Sequence, residues 1–283
     1  MANSVRQNMI DLILEIAKQR NAFDLLEQTL TGMGKDVLSA SLLGCGMIPE
    51  RLEHDSSEEK LWAKYCDILL AKSWTALGIP AEVLRARGDS ADVFGKTEIY
   101  TIVGDAKAFR LSRTAKNQKD FKIQALDDWR KSNTYAALIS PLFQYPQRQS
   151  QIYYQALERN VTLLSYDHLR LLIEHFDGQD LSSLWEMGNH LARSKSSVDY
   201  WKALDRTVCQ VVRISEDVLR EYKLLAIQTT KHIGEEGIDY WKTQIEAYQH
   251  LTQEEAVARL IKAEKIEAKI QTIRKAMQVS LEA

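Results

Sequence analysis

The sequence predicts an α/β protein in which a mixed sheet of four or five strands lies between helical N-terminal and C-terminal parts. Short, nearly continuous apolar runs, typical of buried strands, occur in the middle of the chain. Before about residue 78 and after about residue 166, apolar residues recur with a helical period. Hydrophobic residues make up 45% of the chain and prolines number only 4, which favours an ordered protein with a substantial core.

The N-terminal part, 1–78, is predicted to be helical. Apolar residues between Met9 and Ile16 share one helical face. The run Ser-Ser-Glu-Glu at 56–59 precedes another apolar helical pattern. Serine caps followed by acidic residues in the first turn favour a helix start there, because the acidic groups complement the helix dipole.

The middle part, 79–166, is predicted to be the α/β core. Candidate strands lie at 91–94, 99–103, 135–140 and 161–165, with Gly95 and Gly104 ending the first two. Segments of helical composition, 119–132 and 148–158, separate the later strands. The C-terminal part, 167–283, returns to a helical pattern, and we expect all three parts to form a single domain over 1–283.

Charge and cysteine content place few limits on function. The net charge of −2 weakly disfavours nucleic acid as a partner, but a local cluster of cations matters more than the total. Cys45, Cys66 and Cys209 lack disulfide or zinc spacing, and the six histidines lack metal-ligand spacing, which predicts structural roles for both types. We find neither a signal-peptide pattern nor a run apolar enough to span a bilayer, so we expect a cytoplasmic protein without a membrane partner.

The candidate site is Asp105-Ala106-Lys107, which follows the most strand-like run of the sequence. Asp92 lies thirteen residues earlier, beside the preceding strand, and antiparallel pairing of the two strands would bring both carboxylates to one end of the sheet. Two carboxylates with open positions suit Mg²⁺, and Mn²⁺ is expected to substitute for it. Lys107 shares a strand face with Asp105, so metal and ammonium together supply what phosphodiester hydrolysis requires.

The bare Asp/Glu-x-Lys pattern is not specific. It occurs five times in the chain, starting at Glu58, Asp105, Asp120, Glu221 and Glu267, and only the second copy follows an apolar strand. The alternative interpretation of that copy is a salt bridge at the end of a strand.

A basic run follows the candidate site. Six cations lie between residues 107 and 122, against one acid, and polar side chains are interleaved with them. Such a run suits DNA phosphates, with amide side chains able to contact bases, although a solvated basic loop is the alternative. The residues predicted to bind DNA are Arg110, Arg113, Lys116, Asn117, Gln118, Lys119, Asp120 and Lys122.

The whole run 105–122 closely resembles the HindIII family of type II restriction endonucleases. Similar segments occur in the same order at 59–61, 67–68, 70–72, 87–88, 92–93, 143–146, 150–152, 240–242 and 254–256. The resemblance implies the PD-(D/E)xK nuclease core with helical extensions. It also implies double-strand cleavage at a palindromic six-base site, expected to be AAGCTT, leaving 5′-phosphates.

The resemblance also implies roles for individual residues. Asp105 takes the position of the metal-binding acid and Lys107 that of the catalytic lysine. Asp92 matches an upstream acid, Asp120 matches an acid implicated in activity, and Glu59 is an alternative ligand of the metal or its water. We therefore predict Asp92, Asp105, Lys107 and Asp120 as catalytic residues, and Asp92, Asp105 and Glu59 as metal ligands.

Partners follow from the same resemblance. A palindromic duplex has a two-fold axis and each active site cuts one strand, so a homodimer is the economical assembly, with the terminal helices as candidate interface. A restriction–modification system in bacterial cytoplasm implies a protecting DNA methyltransferase that is not a stable subunit. Two alternatives stay open at this point: another PD-(D/E)xK nuclease of repair or junction cleavage, and a DNA-binding protein without catalytic activity.

Overall fold

The structure, a computed structural model, describes residues 2–85, 90–113 and 118–277. The chain forms two compact units, Met1–Glu235 and Glu236–Ala283. The first unit contains every strand formed by the described residues. The expected division of a single domain into 1–78, 79–166 and 167–283 stays a prediction.

Four helices precede the sheet: α1 (Ala2–Ile16), α2 (Ala22–Leu30), α3 (Lys35–Leu42) and α4 (Ser57–Ala76). The predicted cap of α4 is present, since the Ser56 hydroxyl accepts a hydrogen bond from the Glu59 amide at 3.1 Å. Trp62 and Trp74, on α4, are fully buried. This helix contacts the first three strands, so it is the element that joins the N-terminal helices to the sheet.

The sheet has five strands that lie side by side in chain order: β1 (Ala81–Val83), β2 (Val93–Lys96), β3 (Thr101–Ala106), β4 (Tyr135–Ser140) and β5 (Val161–Ser165). The first three strands are antiparallel and the last three are parallel. This confirms the predicted mixed sheet flanked by helices. β1 has three residues, one of them acidic, which is too short a run for a sequence pattern to reveal.

Two glycines predicted to end strands lie inside them. A Cβ atom on Gly104 would lie 2.5 Å from the Trp74 ring, and one on Gly95 would lie 3.1 Å from it. Both residues are therefore glycine because α4 packs closely on the sheet, and the ladder continues through them. Ile99, predicted to start a strand, is 78% exposed in the turn between β2 and β3.

Helices connect the parallel strands, as predicted. α5 (Gln118–Phe121) and α6 (Ile123–Arg130) precede β4, while a 3₁₀ turn (Leu142–Gln144) and α7 (Gln151–Arg159) precede β5. After the sheet come α8 (Tyr166–His175), α9 (Ser182–Glu186), a 3₁₀ turn (Met187–His190), α10 (Ser197–Val212), α11 (Glu216–Gln249), α12 (Gln253–Ala263) and α13 (Ile266–Met277). Within the described ranges, none of these helices combines the length and the apolar character needed to cross a bilayer.

Candidate active site

The candidate site lies at the carboxyl end of β3. Asp105 is the fifth residue of this strand and is 1% exposed. Asp92 immediately precedes β2, and its amide donates a hydrogen bond to the carbonyl oxygen of Gly104 at 3.1 Å. Because β2 and β3 are antiparallel neighbours, Asp92 lies beside Asp105, in the arrangement that the sequence predicted.

Lys107 forms an ion pair with Asp105, and its side chain is 20% exposed. Its backbone is held on both sides. The Lys107 amide donates to the carbonyl oxygen of Ile139 at 2.7 Å, and its own carbonyl accepts from the Tyr166 hydroxyl at 2.9 Å. The ammonium group therefore extends from a rigid backbone at the edge of the sheet.

Helix α4 brings two more charged groups to this edge, Asp67 and Lys64. The Lys64 ammonium lies 2.8 Å from the Asp67 carboxylate and 3.2 Å from that of Asp92. Asp67 is 3% exposed. Sequence analysis assigned neither residue to the site, although an acid inside the otherwise apolar stretch 65–70 was an available signal, since buried acids are rare without a function or a partner.

Burial and the neighbouring charge of Asp92 raise the pKa of two carboxyl groups, those of Asp105 and Asp67. Burial raises the pKa of Asp105, Lys107 lowers it, and the charge of Asp92 raises it again. Burial and then the neighbouring charge of Asp92 raise the pKa of Asp67 to about 7, against the opposing effect of Lys64. A divalent cation would favour the ionised form of every carboxylate that it contacts.

Several buried polar groups at this edge lack a protein partner. Among the described residues, none donates a hydrogen bond to Asp105 Oδ1, and the side chains of Ser140 and Gln144 are also without partners. Ser140 ends β4, the parallel neighbour of β3, whereas Gln144 lies in the 3₁₀ turn that follows β4. Unsatisfied buried groups are uncommon, and those of Asp105 and Ser140 at the ends of adjacent strands mark a place where a ligand, ion or water completes the structure.

The residues present fit a magnesium ion. Asp105 offers a buried oxygen without a hydrogen-bond partner, and the side chain of Asp92, beside it, is 35% exposed to solvent. Mg²⁺ is typically bound by one or two carboxylates and keeps several waters, so a buried carboxylate beside a partly exposed one matches its requirements.

Glu59 lies elsewhere on α4, two helical turns before Asp67. One of its oxygens accepts from Arg110 at 3.2 Å, and the other accepts from His54 at 3.0 Å and from the Asp55 amide at 2.7 Å. His54, Asp55 and Glu59 place their ligand atoms within 4.8 Å of one another, but the first two are exposed and Glu59 already has donors at both oxygens. These contacts give both Glu59 oxygens a partner within the protein, and its role as a metal ligand stays a prediction.

The predicted DNA-binding run is partly fixed to the protein. The side chain of Arg110 is only 13% exposed. Its guanidinium donates hydrogen bonds to the carbonyl oxygens of Pro49 and Glu50 and forms an ion pair with Glu59. Arg113 forms an ion pair with Asp120, which joins two residues seven positions apart in the run. Asp120 therefore contacts Arg113 directly.

Other residues of this run are less defined. Lys122 is exposed and has a left-handed backbone with φ of 46°. Gln118 and Lys119 lie in α5, but their side chains are outside the description. Lys116 and Asn117 lie outside the described residues.

Comparison with known proteins decides the family. The model of the family described as HindIII restriction endonuclease matches residues 7–277. The chain belongs to the HindIII restriction endonuclease family. It is also 33% identical to the type II restriction enzyme HindIII of Haemophilus influenzae, over 96% of this chain and 95% of that enzyme.

Membership of the HindIII family makes this protein an enzyme, a type II site-specific deoxyribonuclease. Of the alternatives that the sequence left open, a DNA-binding protein without activity is therefore not supported. The PD-(D/E)xK core predicted from the resemblance agrees with the observed mixed sheet and its flanking helices.

Proposed function

We propose that this HindIII-family enzyme makes Mg²⁺-dependent double-strand cuts at a palindromic six-base site, expected to be AAGCTT, and leaves 5′-phosphates. The observation that carries the proposal is the buried Asp105 carboxylate, which has an unpartnered oxygen and lies beside Asp92 and Lys107 at the carboxyl end of β3. Such a combination of acids and a lysine is suited to phosphodiester hydrolysis.

In this proposal Asp105 and Asp92 hold Mg²⁺, or Mn²⁺ in its place. The bound ion supplies Lewis acidity and a water of lowered pKa. Lys107 orients the attacking water and offsets the negative charge that develops on the phosphate, which its ion pair with Asp105 positions it to do. Asp105 keeps the ammonium of Lys107 in place, because the carboxylate is rigid and buried.

Recognition is proposed to involve the run that follows the site. Arg113, Lys116, Gln118, Lys119 and Lys122 are the candidate DNA contacts, together with Asn117 as a reader of bases. We assign Asp120 a positioning role, since its ion pair with Arg113 would orient that guanidinium toward a phosphate. Arg110, at the start of this run, is fixed to the rest of the protein by its ion pair with Glu59 and its hydrogen bonds to residues 49–50.

The active form is proposed to be a homodimer on double-stranded DNA, because two sites are needed to cut both strands of a palindrome. α12 has no buried residue, and it exposes Leu260 while α13 exposes Ile270 and Ile273. An apolar face of this kind suits a second copy of the chain. Ile270→Glu is expected to convert a dimer to a monomer in light scattering, whereas Ile99→Glu, at another exposed isoleucine, should leave the dimer intact.

The biological setting is proposed on the same basis. A bacterial cytoplasm that contains an enzyme of this kind needs a DNA methyltransferase to protect host sites. That methyltransferase is expected to be a separate protein. Treating plasmid DNA with an adenine- or cytosine-methylating enzyme specific for the cut sequence should block cleavage, and cleavage of fully methylated sites at an unchanged rate would contradict this.

Digestion of a sequenced plasmid with Mg²⁺ tests the proposed function. Discrete fragments whose ends share one palindromic sequence, and which a ligase can rejoin without added phosphate, are expected. The remaining alternative is a nuclease of repair or junction cleavage within the same superfamily. Nicking without sequence preference, or cutting only of branched substrates, would favour that alternative instead.

A further inference from the structure

Lys64 contacts two acids of the site from outside the Asp-x-Lys run. Its ammonium lies 2.8 Å from Asp67 and 3.2 Å from Asp92. The first contact joins residues one helical turn apart on α4, and the second crosses from the helix to the start of β2. Since Asp67 is 3% exposed, Lys64 is anchored by a buried partner and differs from an ordinary surface ion pair.

The contact with Asp92 places Lys64 in competition with a metal ion. A carboxylate oxygen that accepts from an ammonium group is less available to a cation, and the ammonium also repels a cation placed beside it. Lys107 holds a comparable position on Asp105. The two acids proposed to bind Mg²⁺ are therefore each paired with a lysine.

Charge balance shows what this pairing does. With all groups ionised, the three carboxylates and two ammonium groups carry a net charge of one negative. One divalent cation would leave the site with one positive charge. A phosphodiester then returns this fully ionised site to neutrality, so one cation and one DNA phosphate together balance its charge.

We propose that Lys64 is a built-in counter-cation of this site: it holds Asp67 and Asp92 together without metal and weakens cation binding until a DNA phosphate arrives. This inference rests on the proposed function, because it assumes that Asp105 and Asp92 bind the divalent cation. Lys64 acts here as a positioning residue that couples metal binding to DNA binding. By reciprocity, DNA and the cation raise each other's affinity by the same factor.

The test is Mn²⁺ binding by the full-length, metal-free protein in the absence of DNA, followed by the electron paramagnetic resonance signal of free Mn²⁺. Lys64→Met keeps most of the length of the side chain and removes its charge. We expect this variant to bind Mn²⁺ more tightly than the wild type, on the order of tenfold, because one repelling charge near the cation is gone. Lys64→Arg keeps the charge and should bind Mn²⁺ as weakly as the wild type.

A second arm measures the coupling itself. Addition of Ca²⁺ should raise the affinity of the wild type for a duplex with the cognate site by a larger factor than that of Lys64→Met. Lys60→Met is the matched control, since Lys60 is an exposed lysine one turn earlier on the same helix. This control should leave both the Mn²⁺ affinity and the Ca²⁺ effect unchanged.

The outcomes separate the inference from the function on which it rests. Mn²⁺ binding that Asp105→Asn removes is assigned to this site. If such binding exists but is unchanged or weaker in Lys64→Met, the proposed role of Lys64 is overturned. If Asp105→Asn removes no Mn²⁺ binding from either the wild type or Lys64→Met, the assignment of the metal site fails first.

Discussion

Two partly buried clusters of polar and charged groups differ in how completely their atoms are paired. The cluster proposed to be catalytic, called the catalytic cluster below, comprises Lys64, Asp67, Asp92, Asp105 and Lys107. The histidine cluster comprises Ser165, His168, Asp205 and Lys223. In the histidine cluster, His168 contacts the Ser165 hydroxyl at 2.7 Å through one ring nitrogen and Asp205 at 2.9 Å through the other.

The histidine cluster is closed by further contacts. The other Asp205 oxygen accepts from Lys223, and the His168 ring stacks on Trp201 with an interplanar angle of 7°. Ser165 and His168 are both fully buried, so their serine–histidine–aspartate order serves packing and capping of α8, without access for a substrate. The catalytic cluster, in contrast, leaves Asp105 Oδ1 without a partner. A buried charge with every partner present indicates structure, and one with a partner missing indicates a binding site.

The largest expected effect is on cleavage by Asp105→Asn and Lys107→Ala. Each should lower the Mg²⁺-dependent cleavage rate by at least ~1000-fold, because metal binding and charge stabilisation each supply several kcal/mol. Both variants should largely retain DNA binding, because the proposed DNA contacts lie in the run that follows the site. Rates come from single-turnover cleavage and affinities from gel shifts.

The control for charge removal is Asp128→Asn, at an exposed aspartate on α6. It should cleave at the wild-type rate. Cleavage at near wild-type rates by Asp105→Asn or Lys107→Ala would show that the catalytic cluster has been assigned to the wrong residues.

The second effect is on stability, through Asp205→Asn. This change removes the charged acceptor of both His168 and Lys223 and should lower the free energy of unfolding by about 1–3 kcal/mol. The cleavage rate of the folded fraction should not change. Urea unfolding gives the first quantity and active-site-normalised cleavage the second. If Asp205→Asn lost cleavage activity without a loss of stability, the histidine cluster would have a functional role and its proposed structural role would be contradicted.

A smaller effect separates the two clusters by the sign of their pH dependence. Asp67 has a pKa raised from 3.8 to about 7, chiefly by burial, so between these values the native state keeps a proton that the unfolded chain has lost. Its contribution to stability therefore falls as the pH rises from about 4 to 7. Burial lowers the pKa of His168 below 6.5, so the unfolded chain takes up a proton that the native state refuses, and stability falls as the pH drops below 6.5.

Two neutral variants isolate these opposite slopes. Relative to the wild type in EDTA, Asp67→Asn should gain stability steadily from pH 4 to pH 7. His168→Gln keeps a side chain suited to the capping position of α8. Its loss of stability relative to the wild type should be smallest at acidic pH. Thermal midpoints across this range supply the comparison. If the thermal midpoints of both variants followed pH in parallel with those of the wild type, the pKa shifts given for Asp67 and His168 would be contradicted.

The same two clusters show what sequence patterns reveal. Asp105 and Lys107 were predictable because two residues apart on a strand share a face, and Asp92 because antiparallel neighbours meet. Asp67 and Lys64 reach the site only because α4 packs across the sheet, against Gly95 and Gly104. That packing joins segments distant in the chain, and local periodicity carries no information about it.

The same limit applies to the predicted role of Glu59. The predicted role of Glu59 as a metal ligand stays a prediction, and its contacts with Arg110 and His54 were not predicted from the sequence. His54 is a local partner, but Arg110 comes from a distant segment, and its approach depends on how the chain at 107–110 runs beside the segment 46–50. The predicted strands and helices of the core were confirmed because the apolar runs and the helical periodicity that predict them are local properties of the sequence.

The measurement that tests the central claim most directly is the mapping of DNA ends after incubation of a sequenced plasmid with the metal-free enzyme and added Mg²⁺. We predict discrete double-strand breaks at one palindromic six-base sequence, with 5′-phosphates, and no breaks with EDTA or with Asp105→Asn. Cleavage that persists in EDTA or in that variant, or Mg²⁺-dependent breaks without a shared sequence, would contradict the account.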